Sequence, residues 1–287
     1  MKYLIMGCNG MAGHVISLYL KEQGHDVHGF ARKQSDLVDT IVGDAEDEKL
    51  VRKTIEEGEY DYVVNCIGVL NQYAETEKAR AVYLNAYFPH FLADIVKESK
   101  TKIIHLSTDC VFSGKKGQYE EDDLRDGETF YARSKALGEL EDNKNITIRT
   151  SIVGPDRNED GIGLLNWFMK QEGAIKGYTR AIWTGMTTLE LAKVIEQMSD
   201  GEFAGLYNVV PKESISKYEL LRVFNKILRN GELNIIPDDS IVVDKSLRRS
   251  EIVEKKLGLL DYEKMVMELK KWIEDKESLY LGRYKAR

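Results

Sequence analysis

Three glycines near the start of the chain constrain its fold more than any other feature. Gly7, Gly10 and Gly13 stand three residues apart, between the apolar run Lys2–Gly7 and the helical pattern Met11–Glu22. A buried strand that turns through glycines into a helix is typical of dinucleotide-binding folds, because glycine permits the tight turn and the close approach of backbone to pyrophosphate. The position of the glycines favours this interpretation over an ordinary turn.

The first half of the chain alternates short apolar runs with helical patterns. Further strands are predicted at 26–31, 40–43, 62–68, 102–107 and 146–153, and helices at 50–57, 86–98 and 131–140. Repeated strand-helix-strand units require right-handed crossovers and a sheet that is covered on both faces. The sequence therefore predicts an α/β fold with a doubly wound parallel sheet of the Rossmann type.

The pattern is less regular in the second half. Helical spacing occurs at 164–171, 187–198, 217–228 and 262–276, and 206–210 is predicted to be one more strand of the main sheet. No linker rich in Pro, Ser or Gly separates the halves. We predict a Rossmann domain over residues 1–155, rejoined by a strand near 205–211, and a smaller, interleaved lobe over residues 156–287.

Composition excludes several classes of function. The 287 residues carry a net charge of −7, which argues against nucleic-acid binding, and the basic tail Arg283–Arg287 is interpreted as a solvated end. No stretch approaches the roughly 20 apolar residues of a membrane helix, and no secretory signal is recognised. The widely spaced Cys8, Cys66 and Cys110 suggest free thiols and no metal site, so we predict a cytoplasmic location.

The end of the second predicted strand bears on the choice of cofactor. Arg32 and Lys33 stand there without a carboxylate, where an acidic residue would bind a ribose 2′-hydroxyl and an arginine a 2′-phosphate. We therefore predict NADP(H), with NAD(H) less favoured, and keep a solvated basic turn as the structural alternative. Asp44, at the end of the third strand, is a candidate for the adenine amino group or a local turn residue.

A group of polar side chains indicates chemistry on a carbonyl group. Tyr131 and Lys135 are four residues apart on a predicted helix and project from one face, while Ser107 and Thr108 end the fifth strand, where ligands bind in open α/β sheets. Reduction of a ketone leaves an alkoxide that needs a proton. Tyr131 can supply it, and the ammonium of Lys135 is expected to lower the pKa of the phenol. Thr108 can donate a hydrogen bond to the ketone oxygen.

Together these segments resemble the extended short-chain dehydrogenase/reductases, and most closely the dTDP-4-dehydrorhamnose reductase group. The matching segments are 7–13, 65–68, 106–114 (Leu-Ser-Thr-Asp-Cys-Val-Phe-Ser-Gly), 131–136 (Tyr-Ala-Arg-Ser-Lys-Ala) and 149–154 (Arg-Thr-Ser-Ile-Val-Gly). They span the N-terminal half in order. The Ser-Thr-Asp-x-Val-Phe segment is the most selective, because it separates this group from most other extended reductases.

The resemblance implies NADPH-dependent reduction of the 4-keto group of a nucleoside diphosphate-4-keto-6-deoxy sugar, for deoxysugar or surface polysaccharide biosynthesis. It implies that Thr108, Tyr131 and Lys135 are catalytic, that Asn85 is structural and that the C-terminal lobe binds the substrate. The implied cofactor-binding residues are Gly7, Asn9, Gly10, Met11, Gly13, Arg32, Lys33, Asp44, Ala45, Cys66, Ile67, Gly68, Ser107, Tyr131 and Lys135. The implied substrate-binding residues are Val69, Thr108, Asp109, Val111 and Trp183. Trp183 is interpreted either as a lid on the base or sugar or as a core residue. The sequence leaves open which nucleotide and which sugar the substrate contains, and whether the chain forms a homodimer.

Two alternatives remain: a non-catalytic NADP-binding regulatory subunit of the same fold, and a nucleotide-sugar 4-epimerase. In relatives that epimerise before they reduce, a cysteine near the position of Cys110 works with a later histidine. This chain has no histidine after His105, which favours simple reduction. Dehydratases of the superfamily usually carry glutamate where Cys110 stands, and Arg32 argues against the tightly held NAD of epimerases.

Overall fold

The fold is described from a computed structural model that covers residues 1–284, so Lys285, Ala286 and Arg287 of the basic tail lie outside the described residues. The strands are β1 (Lys2–Met6), β2 (Asp26–Ala31), β3 (Asp39–Val42), β4 (Tyr62–Asn65), β5 (Lys102–Ser107), β6 (Ile146–Arg149), β7 (Ile152–Val153), β8 (Ala174–Tyr178), β9 (Ala181–Trp183), β10 (Met186–Thr187), β11 (Gly205–Asn208), β12 (Ile215–Ser216), β13 (Asn234–Asp238) and β14 (Val243–Asp244).

The helices alternate with these strands in the first half and cluster towards the end of the chain. They are α1 (Met11–Glu22), α2 (Glu48–Gly58), α3 (Asn71–Thr76), α4 (Lys78–Ala81), α5 (Phe88–Ile95), α6 (Phe130–Leu137), α7 (Leu164–Met169), α8 (Thr188–Asp200), α9 (Lys217–Leu228), α10 (Glu251–Lys256), α11 (Tyr262–Asp275) and α12 (Glu277–Tyr280). A π-helical turn covers Val82–Tyr87 and a 3₁₀ turn covers Asp109–Val111. Within residues 1–284, none of the helices combines the length and the apolar character needed to cross a membrane.

The main sheet, as far as residues 1–284 define it, has seven strands in the order β11-β6-β5-β4-β1-β2-β3. Each pair from β6 to β3 is parallel, with Ile5 of β1 paired to Gly29 on one side and Val64 on the other. The order reverses between β1 and β4, so their carboxyl ends flank a switch point, where open α/β sheets bind ligands. The predicted doubly wound fold is confirmed.

The strands of this sheet form because apolar side chains fill both of its faces. All four residues of β4 are buried, as are the last four of β1. Leu4 and Met6 of β1 pack in one apolar cluster with Val63, Phe88 and Ile103. Burial of such side chains contributes about 1.5–3 kcal/mol each, so the sheet is a rigid base for the polar residues at its edge.

Several predicted bounds shift by up to three residues, as at β4, which ends at Asn65 and not at residue 68, and two elements differ more. The helical region predicted from residue 86 begins at Asn71 and runs through α3, α4 and the π-helical turn before α5. The strand predicted as 146–153 breaks after Arg149, and β7 pairs with β10 in a separate two-stranded sheet.

Contacts divide the chain into two compact units. The first consists of Met1–Ser113, Glu121–Arg149 and Ala192–Tyr207, and the second of Gly114–Glu120, Thr150–Leu191 and the described residues from Asn208 onward. The chain passes from one unit to the other several times along the sequence. Strand β11 is paired at the edge of the main sheet, next to β6.

The second unit contains short strands that the sequence analysis missed. In one small sheet β8 pairs in parallel with β13, and in another β9 lies between β12 and β14. Strands of two to five residues are too short for a visible period, and they form only because distant partners complete them. Arg283, interpreted as part of a solvated end, instead donates hydrogen bonds to the carbonyl oxygens of Tyr280 (3.0 Å) and Asp156 (2.9 Å).

Candidate active site

The glycine turn after β1 has the geometry that the sequence predicts. Gly7 adopts a φ of +82°, in the left-handed region that side chains rarely enter, and Gly10 directly precedes α1. A Cβ atom on Gly13 would lie 2.2 Å from the carbonyl oxygen of Gly7, so only glycine fits there. The amide of Asn9 donates to the carbonyl of Lys33 (2.9 Å) and ties the turn to the end of β2. Met11 is half-buried in the first turn of α1.

The residues predicted to select the cofactor lie at the ends of β2 and β3. Arg32 and Lys33 are both exposed, and neither forms an ion pair with another described residue. These two exposed positive side chains lie beside the glycine turn without an acidic partner. They are therefore suited to bind an anion. Asp44 is also exposed and accepts a hydrogen bond from the backbone of Glu46 (3.1 Å), while Ala45 is buried. Asp44 thus acts as a turn residue, with part of its carboxylate facing solvent.

The loop after β4 lies beside the glycine turn. A Cβ on Gly7 would come within 3.1 Å of Ile67, which shows how closely the two turns approach. Burial and the neighbouring Cys8 thiol raise the pKa of Cys66 to about 12, which keeps it a neutral thiol. Gly68 is exposed, and Val69 is buried with its N–H donating to the side chain of Asn85 (2.8 Å).

Asn85 connects this loop to helix α6. Its amide group donates to the carbonyl oxygen of Val69 (2.9 Å) and to the hydroxyl of Ser134 (3.1 Å). A Cβ on Gly138 would lie 1.9 Å from the backbone oxygen of Asn85, so the two segments touch through their backbones. The π-helical turn that contains Asn85 therefore positions the helix that carries Tyr131 and Lys135.

The carboxyl end of β5 presents a row of polar side chains. Ser107 donates to a carboxylate oxygen of Glu139 at 2.6 Å. The hydroxyl of Thr108 caps the following 3₁₀ turn by accepting from the N–H of Cys110 (3.1 Å) and also donates to Asp109 (3.2 Å). Thr108 is 8% exposed, so it reaches the surface only at the end of the strand.

Tyr131 meets Thr108 at this strand end. Helix α6 begins just before Tyr131 because the hydroxyl of Thr129 caps it, accepting from the N–H of Ala132 at 3.0 Å. Burial raises the pKa of Tyr131 above its ordinary value, and the nearby side chain of Thr108 partly opposes this. The structure therefore brings together two of the three residues implied to be catalytic.

Lys135 lies one turn further along the same helix and is 5% exposed. Its ammonium donates to the carbonyl oxygen of Leu106 at 2.7 Å. Burial lowers the pKa of Lys135 to about 8, although the carboxylate of Glu139 acts in the opposite direction. The predicted lowering of the pKa of Tyr131 by Lys135 is wrong for this structure. Burial dominates, and the ammonium is directed at a backbone carbonyl.

A buried ion pair supports this end of the sheet and was missed from the sequence. Glu139 accepts hydrogen bonds from Arg149 at 2.8 and 2.7 Å, and both side chains are fully buried. Arg125 also donates to Glu139. Because of these hydrogen bonds the pKa of Glu139 stays below its ordinary value despite burial. An arginine that follows Ile146 and Ile148 in a predicted core strand was a usable signal, since a buried charge requires a partner.

Several residues implied to bind the substrate are packed into the interior. Val111 is fully buried and Trp183 is 4% exposed. In the second unit, the ammonium of Lys217 lies 4.5 Å from the ring centre of Trp183 and the ring of Tyr262 lies 5.9 Å away. The ring of Trp183 is thus engaged by protein groups, which supports its interpretation as a core residue. Asp109, 4% exposed, serves mainly as an acceptor for Thr108.

This fold and this group of residues define a class: a doubly wound reductase of the extended short-chain type. A structure from Sulfolobus tokodaii described as a hypothetical dTDP-4-dehydrorhamnose reductase matches with a TM-score of 0.76 at 25% identity, covering 92% of this chain and 98% of that one. The fold is also that of the dTDP-4-dehydrorhamnose reductase of Bacillus anthracis, solved in complex with NADP (TM-score 0.78, 21% identity, 95% and 99% covered).

The family follows from the sequence comparison. The model of the RmlD substrate binding domain matches residues 1–252, so the chain belongs to this family. The probable low-salt glycan biosynthesis reductase of Haloferax volcanii is 26% identical over 255 residues, which is 84% of each chain. The dTDP-4-dehydrorhamnose reductase of Mycolicibacterium smegmatis is 29% identical over 70% of this chain and 61% of its own. The chain is therefore one of the oxidoreductases.

Proposed function

We propose that the chain is an NADPH-dependent reductase that converts the 4-keto group of a nucleoside diphosphate-4-keto-6-deoxy sugar into an alcohol. One observation carries this proposal: the buried Lys135 donates to the carbonyl oxygen of Leu106 at 2.7 Å, which holds helix α6, with Tyr131 and Lys135, against the end of β5 that leads into Thr108. The names of the relatives support the substrate class, since they include dTDP-4-dehydrorhamnose reductases and a glycan biosynthesis reductase.

The residues of the first unit fit this cofactor. The contact between Gly13 and Gly7 leaves room for no side chain, and no described side chain caps the first turn of α1, so its N-terminus is open to phosphate. Arg32 and Lys33 would hold the 2′-phosphate that distinguishes NADPH from NADH. When bound, the nicotinamide supplies the hydride that adds to the carbonyl carbon of the sugar.

Thr108, after β5, and Tyr131, on α6, complete the reduction by polarising the ketone and supplying a proton to the oxygen. Thr108 donates to the ketone oxygen, where negative charge develops during reduction. Tyr131 then protonates the alkoxide. Its raised pKa keeps the phenol protonated at neutral pH, so that a proton is available for the alkoxide. The ammonium of Lys135, implied by the family resemblance to bind the cofactor, is assigned to donate hydrogen bonds to it.

Two further assignments complete the proposal. Glu139 and Arg149 hold Ser107 in place and so stabilise the end of β5 next to Thr108. Recognition of the nucleotide sugar is assigned to residues of the second unit, in accordance with the family resemblance. The buried Trp183 is not used in this assignment.

The proposal is tested by following loss of the reduced-nicotinamide absorbance. The purified protein is mixed with NADPH and with dTDP-, UDP- or GDP-4-keto-6-deoxy sugars, each made in situ by its dehydratase. Turnover with one of these is expected and identifies the nucleotide. If NADPH binds but none of the sugars is reduced, the reductase assignment fails and the regulatory-subunit alternative takes its place.

A further inference from the structure

His105 is a buried titratable group that the mechanism above does not use. It lies in the middle of the main sheet, on β5, and is 0% exposed. Its Nε2 atom is 3.3 Å from Nζ of Lys135, and its Nδ1 atom is 3.2 Å from the amide nitrogen of Asn65 on the neighbouring strand. The three residues form a line from β4 through β5 to α6 that ends at a proposed catalytic side chain.

The protonation state of His105 follows from its surroundings. Burial holds the pKa of His105 well below its ordinary value, and the nearby Lys135 and His90 act in the same direction. Both disfavour a positive charge on it, so His105 is neutral and carries one N–H.

Asn65 decides which nitrogen carries that proton. Its Oδ1 accepts from the backbone N–H of Ile67 at 3.1 Å, and a backbone N–H can only donate. The Nδ2 group of Asn65 must therefore face His105, where it donates to Nδ1. Because Nδ1 is an acceptor, the proton of the neutral imidazole is on Nε2 and faces Lys135.

This arrangement bears on the state of Lys135. An ammonium group only donates hydrogen bonds, and it already donates to the carbonyl oxygen of Leu106. If Lys135 is an ammonium, its N–H groups and the Nε2–H of His105 are two donors that face each other with no acceptor between them. A neutral amine could instead accept the Nε2–H through its lone pair. The contact therefore favours the neutral amine over the ammonium.

We infer that His105, oriented by Asn65, is a positioning residue that sets the proton affinity of Lys135 and with it the alkaline limit of catalysis. The inference rests on the proposed function only for its effect on catalysis; the protonation of His105 and Lys135 is a property of the protein alone. The effect of His105 is opposed by the carboxylate of Glu139, which favours the charged form of Lys135.

The protonation states are measured first, by NMR on wild-type protein with labelled imidazole nitrogens and lysine side chains. One histidine signal is expected to show the Nε2–H tautomer from pH 6 to pH 9. This signal is assigned to His105 by its loss in His105→Asn, and the Lys135 signal is assigned by its loss in Lys135→Met. A charged His105, or a proton on Nδ1, overturns the inference. The wild-type tautomer is decisive even if a variant does not fold.

The effect on Lys135 is measured next. In His105→Asn the shorter side chain still reaches towards Asn65 but leaves no donor facing Nζ, so the lysine is expected to titrate about one pH unit higher or more. Asn65→Asp should act in the same direction, because a carboxylate accepts from Nδ1–H and frees Nε2 to accept from the ammonium. An unchanged lysine titration in both variants contradicts the inference. His28→Asn, on strand β2, three strands away from β5 in the sheet, is the matched control and should leave it unchanged.

The pH profile of kcat tests whether the protonation of Lys135 limits catalysis. The ammonium is the active form of Lys135. We therefore expect kcat to fall as the pH rises through the pKa of Lys135, which is about 8 in the wild type. The fall should move to higher pH in His105→Asn and stay in place in His28→Asn. If the sugar panel shows no turnover but the NMR shifts occur, the proposed function fails and the inference about Lys135 stands. If turnover occurs and the profiles coincide, the inference fails alone.

Discussion

The two units of the chain build their interiors in different ways. The first unit has one seven-stranded sheet, within residues 1–284, and polar side chains are buried at its carboxyl edge, each with a named partner. The second unit has small sheets of two or three strands over the same described range, and its buried aromatic residues contact one another, as Phe168 does Phe224.

This difference shows where the proposed chemistry resides. In the first unit, Lys135, His105 and Glu139 are buried at an energetic cost that their hydrogen bonds must offset, which is typical of functional sites. In the second unit, Trp183, which the sequence left open as a substrate lid or a core residue, is buried and contributes to packing. The predictions below test this division between a chemical unit and a unit whose aromatic residues are structural.

The largest effect is expected in the first unit from Tyr131→Phe. Loss of the phenol removes the proton donor, so kcat should fall by about 10²–10⁴-fold while NADPH binding is retained. Steady-state kinetics and titration with NADPH measure the two quantities. Tyr73→Phe, on an exposed tyrosine of the same unit, should behave as wild type. An active Tyr131→Phe enzyme would remove the proposed proton donor.

Next in size is the effect of Gly13→Ala on the turn after β1. The new Cβ would lie 2.2 Å from the carbonyl oxygen of Gly7, so the turn must shift, at a cost of about 1–3 kcal/mol in the free energy of unfolding. NADPH binding should weaken as well. Gly258→Ala is the matched control, because a Cβ there meets nothing within 4 Å. Equal urea midpoints for the two variants would contradict the predicted close contact.

A smaller effect is expected from Arg32→Ala. Removal of the exposed guanidinium should weaken NADPH binding by about tenfold, or roughly 1.4 kcal/mol, and leave NADH binding nearly unchanged. Fluorescence titration with both cofactors measures the ratio. Arg222→Ala, which removes an exposed arginine of the second unit paired with Glu219, is the control. Equal losses for NADPH and NADH would mean that Arg32 does not select the 2′-phosphate.

The smallest effect on catalysis is expected from Trp183→Phe. If Trp183 is a core residue, KM for the sugar should change by less than about twofold, with a loss of stability of about 1–2 kcal/mol. Trp272→Phe is a close match, since Trp272 is also buried in the second unit and has Lys276 over its ring at 4.3 Å. A tenfold rise in KM for Trp183→Phe alone would restore the interpretation as a substrate lid.

Much of the first unit could be predicted because its signals are local. Helix α1 and strands β2 and β5 have the predicted bounds, since each depends on the period of its own apolar residues. The second unit was harder to predict because strands such as β7 and β10 have two residues each and no period. The same holds for the site. The glycine turn could be recognised from neighbouring residues in the sequence, whereas the ion pair Glu139–Arg149 forms only in the folded chain and was missed.

The sequence by itself determined the alternation of strands and helices in the first half of the chain, the glycine turn and the spacing of Tyr131 and Lys135 on one helix face. These depend on residues within a few positions of one another. Only the tertiary structure decided that Lys135 is buried against His105 and that Trp183 is enclosed. Both outcomes arise because side chains 30 or more positions apart share one interior, where burial and hydrogen-bond partners, and not sequence spacing, set the charge of each group.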